Sequence, residues 1–159
     1  MNQPDDFEES ALRFLYRLLA FLLICFWLAF IVHLSKPAAA QTYSSGIPFE
    51  WRIVDGDTIS TISRPRRYFR LVGYDAPEIS RPKCDSELIL GEKAKRHLGD
   101  LLRGPGIVWF DPGEKDIYGR NLVHIWIKGT KVSDLMVRAN LGVKSDGKGK
   151  FNWCKFLGG

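Results

Sequence analysis

Four carboxylates, Asp55, Asp57, Asp75 and Glu78, stand where short apolar runs end in turn-forming residues. Carboxylates at strand ends can converge on one cation, and hard ions such as calcium and magnesium take oxygen ligands of this type. No His/Cys cluster has the spacing of a zinc or iron site. Asp55-Gly56-Asp57 is equally ordinary turn chemistry, so spacing alone leaves a plain hairpin open. Two arginines bear on the choice: Arg70 lies five residues before Asp75, and Arg120 follows Tyr118-Gly119. Phosphodiester cleavage passes through a phosphorus centre with extra negative charge, which planar guanidinium groups grip in bidentate fashion. A metal ion neutralises more of that charge, and a spare carboxylate can take the proton of an attacking water. Either arginine alone reads as a solvated surface charge. The acids and arginines together form a sufficient kit for phosphoryl chemistry.

The elements that must position these groups follow from periodicity. Trp51 to Val54 and Thr58 to Ile62 read as strands about the Asp55-Gly56-Asp57 turn, and Tyr68 to Tyr74 is again β-rich. Pro77 forbids a continuing ladder after Asp75. A helix is predicted from Glu87, with Leu90, Ala94, Leu98, Leu101 and Leu102 on one face and a stop at Gly104-Pro105-Gly106. Ile107 to Phe110 and Asn121 to Ile127 read as strands. Val132, Leu135, Met136 and Ala139 mark a second short helix. This order fits an α+β fold built on a five-stranded OB-type barrel with about two packed helices, although the pattern also suits other α+β folds. Trp51, Tyr68, Tyr74, Trp109 and Trp126 fall in strand patterns and are expected to pack in the core.

Several stretches, in order and register, resemble the staphylococcal-nuclease family. They are Val54-Asp55-Gly56-Asp57-Thr58, Phe69-Arg70-Leu71 leading to Asp75-Ala76-Pro77-Glu78, Gly91-Glu92-Lys93-Ala94, Asp116-Ile117-Tyr118-Gly119-Arg120, and residues 132–141. The resemblance covers roughly residues 50–143. It implies a barrel of OB type and one calcium ion held by Asp57, Asp75 and the main-chain carbonyl of Ala76. It implies Glu78 as general base on a water, and Arg70 and Arg120 on the scissile phosphate. Tyr118 would lie near the nucleotide's terminal phosphate, and Asp55 would be an acid beside the metal ligands. The substrates implied are DNA and RNA, with little base preference and 3′-phosphate products. The chain departs from the pattern at Ile117, where the family carries a phosphate-binding lysine, and in 144–151, where base-stacking tyrosines are not recognisable. Some proteins of this fold lose the acids and arginines and only bind nucleic acid or protein, so a non-catalytic binding module is the alternative.

The first 40 residues are unlike the rest. Leu18 to Val32 is an unbroken apolar run, preceded by Arg13 and Arg17 and followed by Ala38-Ala39-Ala40. A basic region, a short apolar region and an Ala-x-Ala site make a secretory signal peptide cleaved after Ala40. The run is short of the roughly 20 residues of a bilayer span, and an uncleaved anchor is the other reading. Either way residues 41–159 lie outside the cytoplasm, secreted or periplasmic, or facing outward from a membrane touched only by the N-terminal segment. Residues 41–49 read as a flexible lead-in and 50–159 as the nuclease-like domain, acting as a monomer. Of the 23 basic and 18 acidic side chains, three and four lie in residues 1–40, which leaves 41–159 at net +6. Such a charge attracts polyanions. Cys84 and Cys154 are an even pair in an oxidising compartment, which favours a disulfide over two buried thiols. A loop of that length is worth roughly 4 kcal/mol on the chain-entropy account. The bridge is expected to pin the tail to the start of the first domain helix.

Overall fold

The computed structural model describes residues 5–34 and 42–158. The chain divides into two units, Met1–Ala38 and Ala39–Gly159. In the first, helix α1 (Asp5–Leu34) contains a 19-residue window, Leu12–Phe30, long and apolar enough to cross a membrane. The apolar surface thus extends past the Leu18–Val32 run, because Leu12, Phe14, Leu15 and Tyr16 continue it around Arg13 and Arg17. Length therefore does not set an anchor apart from a signal segment here. The expected cleavage point at Ala40 lies outside the described residues.

The second unit contains strands β1 (Thr42–Ser45), β2 (Trp51–Asp55), β3 (Thr58–Thr61), β4 (Tyr68–Leu71), β5 (Tyr74–Asp75), β6 (Ile107–Asp111), β7 (Asn121–Ile127), β8 (Thr130–Lys131) and β9 (Val143–Lys144). Its helices are α2 (Asp85–Arg103), α3 (Val132–Arg138) and the single turn α4 (Trp153–Phe156). The main sheet runs β1-β6-β7-β4-β3-β2, with β8 on β7. All its pairs are antiparallel except β4 with β7. A second ladder joins β5 to β9.

The α+β class holds, and one expectation changes. Of the expected lead-in, residues 42–49 are not loose. Residues 42–45 pair with β6, Tyr43 lies on Phe110 with ring centroids 6.3 Å apart, and Phe49 stacks on Phe69 at 4.7 Å. The polar composition of Thr42–Ser45 hides a strand whose stability comes from its partner. The mixed sheet and its packed helices match the fold class expected of the OB-type domain. Among the described residues no strand pair joins its β1 and β2 edges, since β1 already occupies the outer edge of β6.

The core follows the two periods read from the sequence. Ile59, Phe69, Leu71, Trp109, Val123 and Ile125 project from strands onto Ala94, Leu98 and Leu102 of α2 and onto Val132 and Met136 of α3. Tyr74 and Trp109 are buried as expected, while Tyr68 is 40% exposed. α2 starts two residues before Glu87, with Cys84 as its N-cap and Asp85 and Glu87 in the first turn, where negative charge suits the helix dipole. Arg103 closes the last turn, and Gly104-Pro105 ends it.

Candidate active site

The β2–β3 turn carries the first two acids. Asp55 and Thr58 are paired across the hairpin, and Asp57 N–H donates to Asp55 Oδ1 at 3.2 Å. The turn can sit where it does because Gly56 has no side chain. A Cβ there would fall 2.7 Å from Ala76 Cβ and 2.8 Å from Ala94 Cβ. Tyr74 Oη–H donates to the Gly56 carbonyl at 2.7 Å, which fixes the turn from the β5 side. Asp57 is 4% exposed and accepts a hydrogen bond from the Thr58 hydroxyl on Oδ1 at 2.8 Å.

Arg70 is the cross-strand partner of Thr58, between the core residues Phe69 and Leu71, so its side chain leaves the opposite face of β4. The chain bends at Val72-Gly73, and that bend returns Asp75 to the same side. The Arg70 guanidinium then spans two acids, with Nη1 at 2.6 Å from Asp57 Oδ2 and Nη2 at 3.0 Å from Asp75 Oδ1. Burial works against its charge, but Asp57 and Asp75 outweigh burial and raise the pKa, so Arg70 stays a cation.

The 76–80 loop lies against α2. Gly91 permits this contact, because a Cβ there would meet Ile79 and the Pro77 carbonyl at 2.9 Å. Glu87, buried in the first turn of α2, receives the Glu78 N–H at 3.3 Å and the Lys83 N–H at 2.7 Å. Glu78 itself turns outward. Its Oε1 accepts from Ser80 N–H at 3.1 Å and its Oε2 from Lys150 Nζ at 2.9 Å. Burial pushes the Glu78 carboxyl up, but Lys150 and the Ser80 and Ile79 N–H groups outweigh it and hold it below its ordinary value. Glu78 is therefore ionised at neutral pH, as a base must be.

Arg120 immediately precedes β7 and is aimed by Asp116. One Asp116 oxygen accepts the Tyr118 and Arg120 main-chain N–H groups at 2.9 Å, and the other accepts Arg120 Nε at 2.7 Å. Arg120 also donates to Thr58 Oγ1 at 3.3 Å and lies 5.6 Å from the centroid of the exposed Tyr118 ring. Thr58 thereby links Arg120 to Asp57.

All the residues expected to do chemistry line one cleft of about 420 Å³: Asp55, Asp57, Arg70, Asp75, Ala76, Glu78, Tyr118 and Arg120. Ile117 is 91% exposed and lies outside the lining. Cys84 and Cys154 are joined, 70 residues apart, and tie α4 to the start of α2. With Glu87 they form a tight group of metal-type side chains, but both sulfurs are bonded to each other and offer no thiolate. The acids of the cleft suit a hard divalent ion better. Asp55, Asp57 and Asp75 face a single arginine, and burial, then Asp57, pushes the Asp55 carboxyl up to about 7. An excess of buried carboxylate oxygen is what such an ion relieves.

Four contributors were not singled out from sequence: Thr58, Glu87, Asp116 and Lys150. Asp116 has a local signal, an Asx turn four residues before the arginine it holds. Glu87 and Lys150 have none, since a buried helical acid and a tail lysine look like surface charges until the fold is known.

A family profile described as staphylococcal nuclease homologue matches residues 68–150. An uncharacterized protein of Bacillus anthracis is 31% identical over 94 residues, covering 57% of this chain and 44% of that protein. A thermonuclease of Staphylococcus hyicus is 30% identical over 95 residues, covering 57% of this chain and 54% of the relative. The chain thus spans about half the length of the curated relatives it matches. With the profile covering more than half of its residues, the chain belongs to the family of staphylococcal nuclease homologues.

Proposed function

We propose that this protein is an exported, calcium-dependent nuclease that hydrolyses phosphodiester bonds in DNA and RNA with little regard to base. The carrying observation is the convergence of Arg70, Arg120, Glu78 and the Asp57–Asp75 pair on one cleft, from four separate stretches of chain. Arg70, in β4, and Arg120, just before β7, approach it side by side, since β4 pairs with β7. Their guanidinium groups grip the non-bridging oxygens of a phosphate and stabilise the charge that grows there. Glu78 takes the proton of the water that attacks phosphorus. The bond to the 5′-oxygen breaks, that oxygen gains a proton, and a 3′-phosphate remains.

Asp57, Asp75 and the Ala76 carbonyl would hold the calcium ion, with Asp55 behind them. When bound, the ion supplies Lewis-acid charge beside the phosphate. Tyr118, exposed beside Arg120, is placed to meet the nucleotide. The arginines of the cleft address phosphate rather than base edges, in keeping with low base specificity. The apolar helix α1 and the Cys84–Cys154 bridge support export, since such bridges persist in oxidising compartments. The domain would then be 50–159 extended to 42 by β1, with residues 1–40 as signal or anchor.

The test is digestion of single-stranded DNA by the full chain, purified in mild detergent, in calcium and in a chelator. Cleavage in calcium alone is expected. DNA binding without cleavage in any divalent ion would return the domain to the binding-module reading.

A further inference from the structure

We propose that Lys150, on the tail loop, is a substrate-phosphate ligand that guards Glu78 between turnovers. Its ammonium rests on the Glu78 carboxylate in the free protein and passes to a backbone phosphate when a polynucleotide enters. This rests on the nuclease reading above and adds to it a residue, from outside the sheet, that contacts substrate.

Three observations carry the proposal. First, Lys150 lines the same cleft as Arg70, Arg120 and Glu78, and Lys150 Nζ lies 2.9 Å from Glu78 Oε2. The Glu78 oxygen not bound by Ser80 N–H is therefore engaged by an ammonium, and its paired site is released when Lys150 moves. Second, the loop is anchored while the side chain is largely exposed. Phe151 N–H donates to Asp75 Oδ2 at 3.2 Å, and the Phe151 ring packs on Trp153 at 4.9 Å and on Phe156 at 5.5 Å. The Cys84–Cys154 bridge closes the anchor. The Lys150 side chain, in contrast, is 66% exposed. An ion pair this exposed is weak and exchanges readily for another anion. Third, an ammonium is a compact point charge on a flexible stem, suited to a phosphate whose position varies from one substrate to another. The nearby Lys148 does not share this placement. It pairs with Asp146 at 3.9 Å and lies outside the lining of the cleft.

The experiment measures single-strand cleavage by the full chain in mild detergent, with calcium, across about 50 to 200 mM salt. Wild type is compared with Lys150→Met, Lys150→Arg and Lys148→Met. For Lys150→Met, KM is expected to rise about five- to tenfold, the scale of one lost charge contact. The loss falls on KM rather than kcat. The slope of log KM against log salt becomes shallower by about 0.7, the value for one phosphate contact on a single strand. Lys150→Arg restores both, and Lys148→Met changes neither. A fall in kcat with KM and slope unchanged would show that Lys150 acts only on Glu78, and the proposal would be wrong. An equal effect from Lys148→Met would overturn it too, by reducing Lys150 to diffuse charge. If the wild type cuts nothing, the nuclease reading fails by itself. Anisotropy of a labelled oligonucleotide then decides Lys150 through the same change in the salt slope of Kd.

Discussion

The floor of the cleft is made by the β2–β3 turn, the end of β4 and the 75–78 loop, whereas its rim on one side is the end of the tail loop, at Lys150 and Phe151. On the floor, Asp57 and Asp75 are 4% and 7% exposed, each held by several hydrogen bonds, and Gly56 and Gly91 let turn, loop and helix touch. On the rim, Lys150 is mostly exposed, and the loop is held by Ser145 N–H on the Gly73 carbonyl, Phe151 N–H on Asp75, an aromatic cluster and the disulfide. Groups that must meet a developing charge within a few tenths of an ångström belong on rigid, buried elements. A group that only attracts substrate tolerates slack. On the proposed reading, chemistry belongs to the floor and capture to the rim, and mutations can break that division.

The largest effect is expected at Glu78. Glu78→Gln keeps the shape but removes the proton acceptor, so kcat falls by about 10²- to 10⁴-fold with KM little changed. Steady-state kinetics check this, and a variant with nearly full kcat would take the base off the floor. Next comes the disulfide. Reducing Cys84–Cys154, or replacing both with Ser, is expected to lower stability by roughly 4 kcal/mol, as for a closed loop of this length. Thermal melts with and without reductant measure it. Below the melt, the reduced protein should lose affinity more than kcat. A collapse of kcat in still-folded protein would mean that floor and rim are not separable.

A smaller loss is expected for Gly91→Ala, because the new Cβ would press on Ile79 and the Pro77 carbonyl at 2.9 Å. Overpacking of this kind costs about 1 to 3 kcal/mol, and here it also displaces Glu78, so denaturant midpoint and kcat should fall together. A drop in stability with kcat intact would show that the loop can shift without harm.

The smallest effect is one of pH. Burial, then Asp57, raises the Asp55 carboxyl from its ordinary 3.8 to about 7. The folded protein without calcium thus binds a proton that the unfolded chain has released across this range. That contribution to stability is complete below about pH 4 and is lost as pH rises towards 7. Asp55→Asn should flatten this decline, as read from thermal melts between pH 4 and 7. Calcium should flatten it in the wild type as well, by favouring the ionised carboxyl. An identical slope in the variant would assign the decline to another group.

Much of the floor was legible in the sequence because its parts are local. A turn between two alternating runs presents Asp55 and Asp57, and an apolar strand ending before Pro77 presents Asp75. Arg70 and Asp75 needed more, because an odd offset puts them on opposite faces until the bend at Val72-Gly73 reverses one of them. The strand at Thr42–Ser45 was not legible, since four polar residues have no apolar alternation and gain their order from β6. Nor was the part played by Glu87, because nothing local marks a helical acid as buried and bound to two main-chain N–H groups.

The sequence by itself determined the set of acids and arginines, the strands and helices that carry them, the apolar N-terminal helix and the pair of cysteines. Those features depend on residue type and on spacing within a dozen positions, where the periods of strand and helix act. Only the tertiary structure decided that Arg70 bridges Asp57 and Asp75, that Thr58 joins Arg120 to Asp57, and that Lys150 reaches Glu78 across 72 residues of chain. Contacts at such separation depend on how the sheet, α2 and the disulfide close upon one another, and no local period encodes that closure.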